Sequence, residues 1–172
     1  MQWIREQLWK SCRSKQSARD YPGFAQVQSV GLFFSDQEDS RKLAEVLRSR
    51  LKEEDKEVHL LEHLSEKRKD ISSTPSFPSY ARDECSLLGE PRSPEARKFL
   101  ARPTEVLIDA HPGEHTSVGF VRHCANTKFC LSTSPNYEKG EGVEVYFPLT
   151  QVDYPHEAAE EIVKYLKFIN KN

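Results

Sequence analysis

Apolar positions along the chain fall into short continuous runs and helical stripes, and the two alternate. The runs from Val27 to Phe34 (VQSVGLFF) and from Thr104 to Asp109 are β-branched or aromatic, which suits strands covered on both faces. Between them, Leu43, Val46, Leu47 and Leu51 trace one face of a helix, with Ser35 and Glu38 at capping-box spacing before it. Val58 to Leu61 supplies the next strand and completes a βαβ unit, in which the first run is central.

Residues 68 to 84 carry Pro75, Pro78 and serines at 72, 73 and 76, and predict a loop with a short extended piece around Phe77 to Tyr80. Ser93-Pro94 places a cap and a first-turn proline before a short helix over Ala96 to Leu100. A third helix is expected over about His115 to Asn126, with Val118, Val121 and Cys124 on one side, and then a strand over Lys128 to Ser132. Val143, Val145 and Phe147 alternate with Glu144 and Tyr146, as in an edge strand with one wet face. Pro155 opens a last helix that buries Ala159, Ile162, Val163, Leu166 and Ile169. Strands alternating with helices predict an α/β, Rossmann-like three-layer sandwich with a mostly parallel sheet over residues 21–172.

Ahead of this domain, residues 1–20 read as an amphipathic helix, since Ile4, Leu8 and Cys12 recur every four residues and Pro22-Gly23 then break the pattern. Both tryptophans lie here, and residues 1–19 hold five basic residues against one acidic. The remainder holds 20 basic and 26 acidic residues, which disfavours a general or sequence-specific nucleic-acid surface on the body. Trp3, Trp9, Lys10, Arg13 and Lys15 are therefore the candidate partner-binding residues, for a ribosome or an anionic membrane surface. The competing reading has the tryptophans cover an open face of the sheet. No run resembles a signal peptide or a membrane span, so the expected location is cytoplasmic, peripheral to the inner membrane if the basic helix docks there.

The cysteines at 12, 85, 124 and 130 form no C-x-x-C pair, so reduced thiols are expected and no metal or disulfide is needed for folding. After the first strand, FFSDQEDS lacks the glycines of a phosphate loop, and Asp36, Glu38 and Asp39 favour the helix N-terminus instead. Leu107 to His115 is the most suggestive stretch, with Asp109, His111, Glu114 and His115 at a strand end. It matches the H-x-x-E-H string of inverted zincins, but Pro112-Gly113 separate histidines that zinc chemistry needs on consecutive turns of one helix. Lys139-Gly140-Glu141-Gly142 precedes a strand and reads as a turn. Cys130 and Cys124 read as buried small hydrophobes, and His123 stands on another helical face from Cys124.

These stretches yield no complete catalytic set, metal site or cofactor motif. The expected ligand-binding residues are Ser35, Asp36, Asp109, His111 and His115, at the carboxyl ends of the strands. The expected function is a non-enzymatic binding or accessory module that docks on a macromolecular partner or anionic surface through its basic N-terminal helix, and the alternative is a small enzyme or binding domain for a phosphorylated or sugar ligand in that crevice.

Taken together, the basic N-terminal helix, VGLFFSDQED, LLGEPRSPEARKFL, EVLIDA and TSVGFVRHCANTKFCLS resemble a family of small uncharacterised Bacteroidota proteins over nearly the whole chain. Its middle segment pairs a glycine and a basic residue with a helix and a strand ending in Ile-Asp, here Gly89, Arg92, Glu95 to Leu100 and Ile108-Asp109. EVLIDA with the following helix and strand is also similar to the N-terminal half of heptosyltransferase-type glycosyltransferases. That resemblance implies a fold remnant without the half that holds the sugar nucleotide.

Overall fold

The computed structural model describes residues 3, 4, 7, 9, 11, 12, 20–113, 115–134, 144–147 and 155–169. The predicted runs become strands β1 (Ser29–Ser35), β2 (Glu57–Leu64), β3 (Ser79–Ala81), β4 (Thr104–Asp109), β5 (Thr127–Ser132) and β6 (Val145–Tyr146). The helical stripes become α1 (Glu38–Glu53), α2 (Pro94–Ala101), α3 (Thr116–Cys124) and α4 (Pro155–Phe168). The six strands form one sheet in the order β3-β2-β1-β4-β5-β6, and every neighbouring pair is parallel. Among the described residues the sheet is parallel throughout, with the VQSVGLFF run at its centre.

Because strand side chains alternate, the sheet separates two apolar layers. Val30, Leu32 and Phe34 of β1 join Val106 and Ile108 of β4 beneath α1 and α4, which contribute Leu43, Leu47 and Leu51, and Ala159, Ile162 and Leu166. Phe33, Leu61, Leu107 and Cys130 face the other way, onto Ala96 and Phe99 of α2 and Val118 and Val121 of α3. Helices on both faces of a parallel sheet make this a Rossmann-like three-layer sandwich.

The proposed start of α2 is borne out: Ser93 caps it by accepting from the Ala96 amide at 3.2 Å, with Pro94 in the first turn. The capping box at Ser35 and Glu38 is not formed. β1 runs on through Ser35, the cap of α1 is Gln37, and no side chain caps it. Ser40 takes the nearby backbone groups instead: its hydroxyl accepts from the Ser35 amide at 3.0 Å and donates to the Ala110 carbonyl at 2.9 Å. One hydroxyl thereby ties the carboxyl end of β1 to that of β4.

At the N-terminus, Trp3, Ile4, Gln7, Trp9, Ser11 and Cys12 have helical backbone. Trp9 stacks on His123 with ring centroids 5.0 Å apart, and its ring lies so close to Gly119 of α3 that an added Cβ would come within 2.6 Å of it. The Lys139 to Gly142 turn, Val143 and Glu114 lie outside the described residues. No helix among the described residues is long and apolar enough to cross a membrane.

Candidate functional site at the carboxyl edge of the sheet

β1 and β4 are neighbours, although the chain leaves β1 toward β2 on its other side, so the strand order reverses between them. In open α/β sheets the crevice beyond the carboxyl ends at such a reversal is where ligands bind. Four of the five predicted residues stand at these strand ends or just after them: Ser35 and Asp36 from β1, Asp109 and His111 from β4. His115 is the exposed N-cap of α3.

They form separate groups. Asp36 accepts from the amide and hydroxyl of Ser65 at 2.9 and 2.8 Å, and Ser35 is buried against Ser40. Asp109 is fully buried, ion-paired to the buried Arg122 of α3, and accepts from the Ser132 hydroxyl at 2.8 Å and the His111 amide at 3.0 Å. A buried carboxylate with a guanidinium and two further donors is compensated, and it holds α3 over the ends of β4 and β5.

The two predicted histidines meet a third that the sequence reading passed over. His63, near the end of β2, sits in the register opposite Ser35, and its Nδ1 lies 2.9 Å from His111 Nε2. His111 stacks on Phe33 at 5.5 Å, and His63 stacks on Tyr80 at 4.9 Å. The His115 ring centroid lies 5.5 Å from that of His63. Tyr80 is itself buried and donates its hydroxyl to Ser117 Oγ of α3 at 3.3 Å. The edge is thus an aromatic and imidazole layer under the first turn of α3.

Burial, with His111 and His115 as neighbours, pushes the His63 imidazole down to about 4, and burial likewise lowers His111. Both rings are neutral at pH 7, so each carries one proton, and two arrangements satisfy the shared contact. In one, His63 Nδ1–H donates to His111 Nε2, and His111 Nδ1–H donates to the Gly113 carbonyl at 3.0 Å. In the other, the Gly113 amide donates to His111 Nδ1 at 3.1 Å, and His111 Nε2–H donates to His63 Nδ1. The first leaves His63 Nε2 an acceptor and the second makes it a donor. That nitrogen is buried and has no hydrogen-bond partner among the described residues.

His111 lies in the loop after β4 and His115 caps α3, so the H-x-x-E-H string does not occupy one helix. No group of three His, Cys, Asp or Glu side chains among the described residues is placed to hold a metal ion. Cys130 is fully buried, and Cys124 is only partly so.

Of the partner-binding candidates, Trp3 is 69% exposed beside Ile4 at 52%, whereas Trp9 lies against α3. Lys10, Arg13 and Lys15 lie outside the described residues. A groove of about 350 Å³ between α1 and α4 is a weaker candidate, since its charges pair with one another, Arg50 with Glu160 at 2.6 Å and Lys167 with Glu54 at 2.5 Å.

His63 carried a signal that could have been read. In EVHLLEHL it shares a face with Leu61, so a strand buried at Leu61 must find that imidazole a partner. Neither a curated protein nor a solved structure matches the chain. The model of a family of unknown function, DUF6913, matches residues 1–169, and the chain belongs to that family.

Proposed function

We propose that the protein is a non-enzymatic binding module whose ligand occupies the carboxyl edge of the sheet, between the ends of β1 and β4 and the first turn of α3. The observation that carries this reading is the His63 Nε2 atom, a buried polar nitrogen with no hydrogen-bond partner among the described residues, on the strand next to the strand-order reversal. Buried polar groups are normally satisfied, and exceptions concentrate where something else binds. Among the described residues no nucleophile with an activating base stands there, and so we assign binding rather than catalysis. A setting in the cytoplasm of a Bacteroidota cell belongs to the same reading, as does remote kinship with the first half of heptosyltransferase-type enzymes. Such kinship brings the fold without the sugar-nucleotide half.

A thermal-shift screen of nucleotides, sugar nucleotides and sugar phosphates tests it. A ligand at 100 times its dissociation constant stabilises by about 2.7 kcal/mol, and His63→Phe should abolish that gain. A stabilising ligand whose effect survives His63→Phe and Asp109→Asn undiminished would place the site elsewhere.

A second reading is favoured by the exposure of Trp3 and Ile4 on a segment with an excess of four positive charges. Aromatic and aliphatic side chains beside lysine and arginine suit an anionic bilayer surface. Each charge near that surface contributes about 1 kcal/mol. Co-sedimentation with anionic vesicles should then fall with added salt and with Trp3→Ala, while neutral vesicles and ribosomes fail to pull the protein down.

A further inference from the structure

Between β3 and α2 the chain makes a small antiparallel hairpin, in which Cys85 pairs with Pro91 and the Ser86 amide donates to the Glu90 carbonyl at 2.9 Å. The Gly89 amide donates to the Ser86 carbonyl at 2.9 Å, and the Glu90 amide to the Ser86 hydroxyl at 3.0 Å, so the turn is fixed from inside. Gly89 has φ +88°, the left-handed conformation that closes such turns and favours glycine. Its backbone is pressed onto the start of α3: an added Cβ would lie 2.5 Å from the Thr116 carbonyl oxygen. This well-held turn presents Leu87 at its tip, 85% exposed.

One exposed leucine is ordinary, but this one has neighbours of the same kind. Thr116 and Gly119 lie three residues apart on α3, on the side turned away from Val118 and Val121, which pack on the sheet. Gly89 rests on Thr116 and the Trp9 ring on Gly119, so the hairpin and the N-terminal segment share one outer face, about one helical turn apart. Trp3 and Ile4 of that segment are also exposed.

We propose that Leu87, together with Trp3 and Ile4, forms a two-armed docking face on the outer side of α3, seated on an anionic lipid bilayer. This rests on the reading of the N-terminal segment as a membrane contact and extends it to the hairpin. Charge selects the occupant: residues 1–19 hold five basic residues against one acidic, whereas the rest holds 20 against 26. At the hairpin, exposed Arg82 and Arg92 offset Asp83 and Glu90, and Glu84 pairs with Arg68 at 2.7 Å, so no excess negative charge opposes anionic headgroups. Apolar tips on separate arms among charged residues suit a fluid surface that closes around each, rather than the continuous apolar core of a protein interface. One shallow apolar contact gives only marginal attachment, and a second on the same body multiplies it.

The test is flotation of the full-length protein with vesicles of phosphatidylglycerol and phosphatidylethanolamine, with pure phosphatidylcholine as the neutral control. Leu87→Ser should weaken binding to the anionic vesicles roughly tenfold and leave its salt dependence unchanged. Trp3→Ala should weaken it independently, so that the double variant loses the product of both factors. In a Trp3→Phe background, Leu87→Trp should restore the binding, and lipids brominated on their acyl chains should quench its indole beyond the level seen with Trp9 alone.

Binding that Trp3→Ala weakens and Leu87→Ser leaves unchanged overturns the two-armed face, while the N-terminal contact stands. Equal flotation with phosphatidylcholine overturns the choice of an anionic surface. No binding to the anionic vesicles sinks both readings, and self-association abolished by Leu87→Ser in sedimentation would then assign the face to a second copy of the chain.

Discussion

His63 and His111 share a hydrogen bond of 2.9 Å although 48 residues separate them and β1 runs between their strands. Each ring also lies on an aromatic partner, Tyr80 for His63 and Phe33 for His111, so the contact is clamped from both sides. A buried imidazole pair of this kind can exchange donor and acceptor roles without gaining charge, which makes it an adaptable polar contact inside an apolar layer.

Stability should therefore fall in mildly acid solution. The unfolded chain binds a proton at each imidazole near pH 6.5, whereas the folded His63 resists until about 4 and His111 is also depressed. Their contribution is fully present above about pH 6.5 and is lost as pH falls toward 4. For His63 alone the loss is about 3 kcal/mol. Urea unfolding at pH 7 and pH 4.5 should show a larger drop for the wild type than for His63→Phe. Equal drops would mean that the imidazole titrates normally in the fold.

Breaking the buried pair of Asp109 and Arg122 should be costly. Arg122→Met leaves a fully buried carboxylate with only the Ser132 hydroxyl and the His111 amide, and a loss of about 3–5 kcal/mol is expected. The double variant Asp109→Asn with Arg122→Met should recover part of that loss, because no uncompensated charge remains. Chemical denaturation of the two variants checks both the size and the recovery.

What the sequence revealed follows how local each determinant is. β1, β4 and the Ser93-Pro94 start of α2 were legible because a buried apolar run and a cap-proline pair act within a few residues. β2 extends three residues past its apolar run, since Glu62 finds Arg41 of α1 and His63 finds His111, partners invisible to a local pattern. The capping box failed for the same reason: the Ser35 amide is taken by Ser40, which the Ala110 carbonyl holds from across the sheet. Arg122 is buried on α3 because Asp109 of β4 supplies its counter-ion, a partner that no local pattern shows.

Trp9 and Gly119 predict a reversal of sign. An alanine at 119 would meet the Trp9 ring at 2.6 Å, so Gly119→Ala should destabilise the full chain and shift tryptophan fluorescence toward that of a solvated ring. In a chain lacking residues 1–20 the same change should stabilise by about 1 kcal/mol, because alanine is the better helix former. The same sign in both backgrounds would show that Trp9 does not rest on α3 in solution.

Ser40→Ala removes the one hydroxyl joining the ends of β1 and β4, and leaves the Ser35 amide and the Ala110 carbonyl without it. A loss of about 1–3 kcal/mol is expected. Hydrogen exchange should quicken at Ser35 and Ala110 before it does at Val30 and Leu107. Uniform quickening across β1 would contradict a local role.

The most direct test of a ligand site at the carboxyl edge is amide chemical-shift mapping of the full-length protein with whichever ligand gives the largest thermal stabilisation. The account predicts a contiguous set of shifted amides at Ser35 and Asp36, His63 to Ser65, and Asp109 to Val118, with little change in α1, α4 or the N-terminal segment. Shifts confined to the groove between α1 and α4, or to residues 3–12, with the histidine layer unmoved, would contradict it.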